Sequence, residues 1–484
     1  MPASLLLFLH LALVGGFGLR ILLREDLAPD ARMAWIVVLM VLPYVGGVLY
    51  FLLGEVHIGR NIARRHRQAL ASIQAQLIDE AEIRRVMGTP EQVDALIAPP
   101  FRGAFRYAGS INGFAPMPGN RAELMPDGAT ARARMIADME AARHEIHVLS
   151  YIWLDDDTGT AVAEALIRAA RRGVTCRAMV DGLGSRLLLR TPLWRAMGEA
   201  GVHTAVALSI DHPLHVLLTS RIDLRNHRKI TVIDGRITYC GSQNLADEAF
   251  RIKARYAPWV DIMLRMEGPV VTQNQLLFAS DWMPATGEGI ARFMRPQEPL
   301  PQGFAAQVVA DGPTERSRAT PQLVVTLIAA ARRQLTITTP YFVPDATVLE
   351  ALCAAAWRGV QVTLVLPQRN DSRVVAAASR STYVRLLDAG VAIHEYIGGL
   401  LHAKTLTVDG EITLIGSTNL DLRSFDLNYE NNVLLQDAAL TQAIMARQHS
   451  YMAQSDRVLL THVQQWPWYL RIWNHLLSTM GPVL

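Results

Sequence analysis

HRKITVIDGRITYCGSQNLAD, residues 227–247, and HAKTLTVDGEITLIGSTNLDL, residues 402–422, align without a gap and are identical at ten of 21 positions. Each reads as a short strand, a tight turn and a second strand. Asp234-Gly235 and Asp409-Gly410 have the composition of a type I′ hairpin turn. Side chains alternate faces along a strand, so His227 shares a face with Lys229, and His402 with Lys404. The two aspartates have the opposite parity. A turn-forming role for Asp234 and Asp409 therefore stands beside a catalytic one.

The repeat extends upstream. HEIHVLSYIWLDDDTG precedes a helical stretch ending in ARRGVTCRAMVDG; RQLTITTPYFVPDATV precedes one ending in AWRGVQVTLVLPQ. Each half reads as strand, helix, strand and then the hairpin. Such alternation predicts an α/β fold with a mixed, mainly parallel sheet, present twice.

Composition narrows the class. The chain has 484 residues, half of them hydrophobic, and a net charge of only +3, which gives no global basic field for nucleic acid. Its three cysteines, Cys176, Cys240 and Cys353, lack metal-ligand spacing and suggest neither a disulfide scaffold nor a zinc site. Only three of the 47 basic residues are lysines, Lys229, Lys253 and Lys404. Two of these stand two residues after a histidine in matching contexts. Chance in an arginine-biased chain is the bland reading. The functional one is that a compact ammonium is needed where a planar guanidinium does not serve.

Two apolar stretches open the chain, roughly 3–23 and 34–53. Each approaches the ~20 residues that a helix needs to cross a bilayer. No basic region precedes the first and no small-residue cleavage site follows it, so a helical hairpin anchor is favoured over a signal peptide. Arg60, Arg64, Arg65 and Arg67 follow the second stretch, which predicts a cytoplasmic location for the rest.

Two histidines, two lysines and two Gly-Ser-x-Asn turns suit displacement at a phosphodiester. One imidazole attacks phosphorus; the other protonates the leaving alkoxide and later deprotonates an acceptor. Lys229, Lys404, Ser242, Asn244, Ser417 and Asn419 would hold the non-bridging oxygens. The pattern calls for no metal and no cofactor.

In these motifs the chain resembles the phospholipase D superfamily and, more narrowly, bacterial cardiolipin synthases. The resemblance rests on RNHRKITVIDG with GSQNLADEAF, YAPWVDIMLRMEGPVV, TTPYFVP, and LHAKTLTVDG with GSTNLDLRSFDLNYENN. The N-terminal AWIVVLMVLPYVGGVLYFLLGE is also similar. It implies two pseudo-symmetric phospholipase D-like α/β/α sandwich domains packed together behind a transmembrane helical hairpin. The expected divisions are 1–58 for the hairpin, 59–118 for a linker, and 119–300 and 301–484 for the two domains. It implies a catalytic set of His227, Lys229, Asp234, His402, Lys404 and Asp409, with His227 as nucleophile and His402 as acid and base. It further implies that Asp261 orients His227, that Glu430 orients His402 and that Arg423 with Ser424 meets a headgroup. The implied reaction converts two phosphatidylglycerol molecules to cardiolipin and glycerol through a phosphohistidine, at the bacterial inner membrane. Phospholipid is then the partner, nucleic acid is not, and no oligomer is required. Hydrolysis by a phospholipase D, or a membrane-tethered nucleic-acid phosphodiesterase, are the competing readings.

Smaller features carry less. QQWPWYLRIWNHLL near the C-terminus is either an interfacial helix or an ordinary amphipathic one packed on the core. Asp155, Asp156 and Asp157 read as a solvated loop rather than a metal site. Gly182-Leu183-Gly184-Ser185 could cradle phosphate. His144 and His147 flank a buried strand and read as structural.

Overall fold

The computed structural model describes residues 3–25, 27, 29–54, 64, 68, 86–209, 221, 223–289, 297–316 and 318–479. Much of the first half of the expected linker and three of the four orientation arginines (Arg60, Arg65 and Arg67) lie outside the described residues.

The duplication in sequence becomes a duplication in topology. The first half contributes β1 (Met117–Leu124), β2 (Glu145–Ser150), β3 (Thr175–Asp181), β4 (His203–Ala207), β5 (Arg225–Asn226), β6 (Ile230–Ile233), β7 (Ile237–Gly241), β8 (Trp259–Val260) and β9 (Met263–Glu267). The second contributes β10 (Phe304–Asp311), β11 (Gln334–Thr338), β12 (Phe342–Val343), β13 (Gln361–Pro367), β14 (Ala392–Tyr396), β15 (Leu400–Leu401), β16 (Thr405–Val408), β17 (Ile412–Gly416), β18 (Leu420–Asp421), β19 (Asn428–Gln436) and β20 (Ser455–Val458). From the middle outward the first half runs β1-β9-β7-β6-β2-β3-β4 and the second β10-β19-β17-β16-β11-β13-β14, with β20 at the edge. An antiparallel β1–β10 pairing joins them into one sheet.

Alternation along the strands puts a helical layer on each face. In β2, Ile146 and Val148 pack with the core under the helix Asp157–Arg171, whereas Leu149 joins the core under the helix Val270–Thr286. His147 takes that second face: its ring lies 4.9 Å from Phe278, and Glu145 is 3.0 Å from its Nε2. The second core runs on beneath the other half to the helix Ala438–Ala453, so both halves share it. This is an α/β/α arrangement used twice.

The N-terminal region departs from expectation. The first helix spans Ala3–Leu22, but the stretch read as one span is divided into Pro29–Val41 and Pro43–Leu49, followed by a π-helical turn at Tyr50–Gly54. Pro43 is the cause, because it brings no N–H to the helix and clashes with the preceding turn. Ile21, Trp35, Leu39 and Tyr50 pack together, and the Tyr50 ring meets Trp35 edge-on at 5.3 Å. Among the described residues no helix is long and apolar enough to cross a membrane.

Candidate active site

The Asp-Gly turns form as the sequence predicts. Asp234 and Gly235 have φ of 53° and 60°, and Asp409 and Gly410 have 53° and 74°. Arg236 N–H closes onto the Ile233 carbonyl and Glu411 N–H onto the Val408 carbonyl, both at 3.0 Å. Positive φ at both central residues is the type I′ signature.

The aspartates themselves are not in the catalytic group, and this corrects their expected role. Asp234 accepts the backbone N–H groups of Arg143, His144 and Glu145 at 2.7–3.0 Å. Asp409 does the same for Arg332, Arg333 and Gln334 at 2.7–2.9 Å. Each carboxylate is consumed in holding the entry to β2 or β11. A strand of four residues, β6 or β16, separates it from the histidine of its own motif.

His227 and Lys229 do share a face, and Arg228 between them shows it by pointing the other way, into a bidentate pair with Asp281 at 2.8 and 2.7 Å. Lys229 Nζ donates to the His227 carbonyl at 2.7 Å, and Lys404 Nζ to the His402 carbonyl at 2.6 Å. An ammonium has three donors, so each lysine keeps N–H capacity after tying down its own motif.

The carboxylates that orient the histidines are crossed relative to expectation. His227 Nδ1 meets Glu430 at 2.8 and 3.0 Å, whereas His402 Nδ1 meets Asp261 at 2.6 Å. The backbone explains it. β5 pairs with β19, and His227 N–H donates to the Tyr429 carbonyl at 2.9 Å. Likewise β15 pairs with β8, and His402 N–H donates to the Val260 carbonyl at 2.8 Å. Each histidine strand is thus docked on the other half.

The two serines complete the exchange. Ser242 Oγ donates to Asp261 at 2.6 Å, and Ser417 Oγ donates to Glu430. Each half therefore builds a serine–carboxylate pair and presents it to the histidine of its counterpart. The glycine before each serine permits the approach. A Cβ at Gly241 would lie 2.2 Å from the Ile262 carbonyl oxygen, and one at Gly416 2.3 Å from that of Asn431. No side chain fits there.

Residues not singled out from sequence complete the walls. Tyr151 packs edge-on to His227 with ring centroids 4.8 Å apart, and its face lies 5.4 Å from Lys229 Nζ. Trp259 packs on His402 at 4.6 Å. Asn428 donates to Glu430 at 3.1 Å, and Asn431 Oδ1 accepts the Lys229 N–H at 3.0 Å. Tyr151 stands directly after β2 and Trp259 opens β8; the asparagines lie inside LNYENN and had no signal of their own. Asn244 accepts from Ile152 N–H at 3.3 Å, and Asn419 Oδ1 is buried with no hydrogen-bond partner among the described residues. Arg423 donates to the Asp223 carbonyl. Ser424 is tied up locally: its N–H caps onto Asp421 and its hydroxyl accepts Asn419 N–H.

Burial sets the electrostatics. It pushes both imidazoles down to about 4, Lys229 to about 8 and Lys404 to about 7, by disfavouring their charged forms. Burial alone would raise Asp261, but His402, Lys404 and Ser242 outweigh it and hold the carboxyl near about 2. Glu430 also lies below its ordinary value, because His227, Lys229 and Ser417 overcome its burial. Lys404 contributes to the field at His227, and Lys229 to that at His402. The four groups share one electrostatic centre.

Other candidate sites fall away. Leu183 and Gly184 N–H groups are already taken by Asp181, so the glycine pair does not cradle phosphate. Asp156 caps the helix Asp157–Arg171, and Asp155 pairs with Arg251.

The family described as "Cardiolipin synthase, PLD-like domain" matches residues 135–282 and 324–451, and "Phospholipase_D-nuclease N-terminal" matches residues 17–55. Cardiolipin synthase A of Serratia proteamaculans (strain 568) is 36% identical over 485 residues, 99% of this chain and 98% of that protein. Cardiolipin synthase A of Yersinia pseudotuberculosis serotype O:1b is 37% identical over 482 residues, covering 98% and 96%. In fold, the chain is similar to phosphatidylserine synthase of Haemophilus influenzae Rd KW20, with TM-score 0.58 and 14% identity over 79% of this chain and 98% of that one.

Proposed function

The chain belongs to the cardiolipin synthase family of phospholipase D-like proteins, and from that premise we propose that it joins two phosphatidylglycerol molecules into cardiolipin and glycerol through a phosphohistidine. The observation that carries this reading is the pair of buried imidazoles, each held through Nδ1 by a carboxylate from the opposite half. That leaves two Nε2 atoms for one phosphorus.

In the proposed first step His227 Nε2 attacks phosphorus, the bond to glycerol oxygen breaks, and His402 gives that oxygen its proton. In the second, His402 takes the proton of an acceptor hydroxyl, the new P–O bond forms and the P–N bond breaks. Burial keeps both imidazoles neutral in the free site, which suits a nucleophile. The acid must gain a proton, and the arriving phosphodiester anion supplies the charge that stabilises it there. The Asp261 side chain keeps 12% exposure beside His402. Glu430, by contrast, is wholly buried. Lys229 and Lys404, with Asn244 and Asn419, are assigned to the non-bridging oxygens, and Arg423 to a headgroup.

The domain divisions at 119–300 and 301–484 follow the repeat. We assign the helices before residue 55 to the membrane as a hairpin, with the two domains on the cytoplasmic side. Phe8, Leu19, Met40 and Val45 are each more than half exposed there, an apolar surface suited to lipid.

Purified full-length protein given labelled phosphatidylglycerol in vesicles should yield cardiolipin and glycerol in equal amounts. Phosphatidic acid as the sole lipid product would assign hydrolysis instead.

The pH profile has a definite sign. The lysines are charged below their pKa values and the nucleophile is neutral above its own. The kcat/KM should fall as pH rises above about 4, where His402 of the free site loses its proton, and fall more steeply above about 8 as Lys404 and Lys229 lose charge. A profile still rising at pH 9 would contradict the assignment of the lysines to phosphate.

A further inference from the structure

The helix Trp468–Ser478 buries Asn474 and Leu477, yet Trp468, Tyr469, Ile472, Trp473 and Leu476 are 72, 63, 57, 51 and 57% exposed. The five form one face. Trp468, Ile472 and Leu476 recur every four residues, and Tyr469 and Trp473 make the adjoining row. Arg471 and His475 flank the first row. Large aromatic side chains on a soluble surface are costly unless something apolar receives them.

The topology puts this helix on the rim of the catalytic centre. It packs on the helix Arg373–Ser381, which follows the C-terminal end of β13. β11 and β13 are parallel, and Thr405, the first residue after Lys404, pairs with Thr338 at the C-terminal end of β11. The helix and the His402–Lys404 segment therefore leave the same edge of the sheet. So does Ile397, 55% exposed, just after β14 and before Gly398-Gly399 and β15.

Beside the start of the helix Arg373–Ser381, the first half contributes the turn Arg251–Tyr256, which leads into β8 beside His402. It carries Arg251, Lys253 and Arg255 with no acidic residue, and its Ile252 is 47% exposed. Lys253 pairs with Asp371 and Arg251 with Asp155. Arg255, Arg369 and Arg471 have no ion pair among the described residues. The rim thus joins an aromatic helix face to a basic turn.

We infer that this rim is a docking surface for an anionic phospholipid leaflet, with the helix Trp468–Ser478 lying flat in the interface and the Arg251–Tyr256 turn over the headgroups. Tryptophan and tyrosine are favoured at that depth, and each nearby cation adds attraction to an anionic surface. The site then opens onto the lipid, so a phosphatidylglycerol headgroup enters without its acyl chains crossing water. This deepens the proposed lipid transfer and rests on it only for the choice of lipid.

The test uses the full chain in vesicles, with a nitroxide on Trp468→Cys or Ile472→Cys and on Glu164→Cys as an exposed control; the native cysteines are buried. On phosphatidylglycerol-containing vesicles the ratio of oxygen to nickel-chelate collisions at 468 and 472 should exceed that at 164 by about tenfold, and fall about threefold on neutral phosphatidylcholine or in high salt. Equal access of the chelate at 468 and 164 overturns the proposal. So does protection accompanied by spin–spin broadening, which reports a second copy of this chain on the face. Protection indifferent to lipid charge overturns the basic half of the rim. None of these readouts needs turnover, so their failure leaves the transfer reaction standing. In support, Trp468→Ser with Trp473→Ser should lower the ratio of vesicle to monomeric short-chain phosphatidylglycerol turnover about fivefold or more; an unchanged ratio overturns it.

Discussion

Alanine in place of His227 is expected to abolish phosphatidyl transfer, by on the order of 10⁴-fold or more, and no change of leaving group should restore it. His402→Ala should cost a similar amount on phosphatidylglycerol, because glycerol leaves as an alkoxide unless it is given a proton. The two variants part on an activated substrate. A 4-nitrophenyl phosphatidyl ester expels a leaving group that needs no proton, so His402→Ala should form the phosphoenzyme from it at near the wild-type rate. His227→Ala should form none. The reverse result would exchange the two roles, and full activity of either variant on the natural lipid would end the two-histidine mechanism. Both imidazoles are buried and hydrogen-bonded, so unchanged thermal unfolding is the control that separates chemistry from folding.

What the sequence disclosed and withheld follows from how local each interaction is. The Asp-Gly turns, the shared face of each His-Lys pair and the twofold α/β repeat all depend on residues within a few positions of one another. Strand parity and turn chemistry were enough to read them. The same parity already set Asp234 and Asp409 apart, and they hold backbone N–H groups at the far end of β6 and β16. The carboxylate pairing was misread for the opposite reason. Glu430 lies nearer His402 in the chain, and Asp261 nearer His227, but the two-residue strands β5 and β15 dock across the halves. Strands that short leave no periodic trace. The break at Pro43 was missed, although a proline inside an apolar run divides a helix. The exposure of Trp468 and Trp473 was not legible, because amphipathic spacing does not say which face finds a neighbour.

That crossing makes the second strong prediction unusually discriminating. Glu430→Gln should lower turnover on the order of 10³–10⁴-fold, because an amide stabilises the wrong imidazole tautomer and removes the charge that offsets the positive phosphohistidine precursor. Asp261→Asn should cost a comparable factor through His402. If Glu430 serves His227, its variant is defective at the attacking step, and the nitrophenyl ester should not rescue phosphoenzyme formation. Asp261→Asn, defective only in delivering a proton, should be rescued as His402→Ala is. Pairing within each half would give the opposite pattern, with Glu430→Gln rescued and Asp261→Asn not. The serines sharpen the comparison. Ser417→Ala should follow Glu430→Gln in kind and Ser242→Ala should follow Asp261→Asn, each to a smaller degree, since each hydroxyl donates to the carboxylate and not to the imidazole. Because each half supplies the carboxylate that the other's histidine needs, neither half alone contains a complete catalytic pair. The two domains must therefore stay docked through every turnover, and the shared core under the joined sheet is what holds them there.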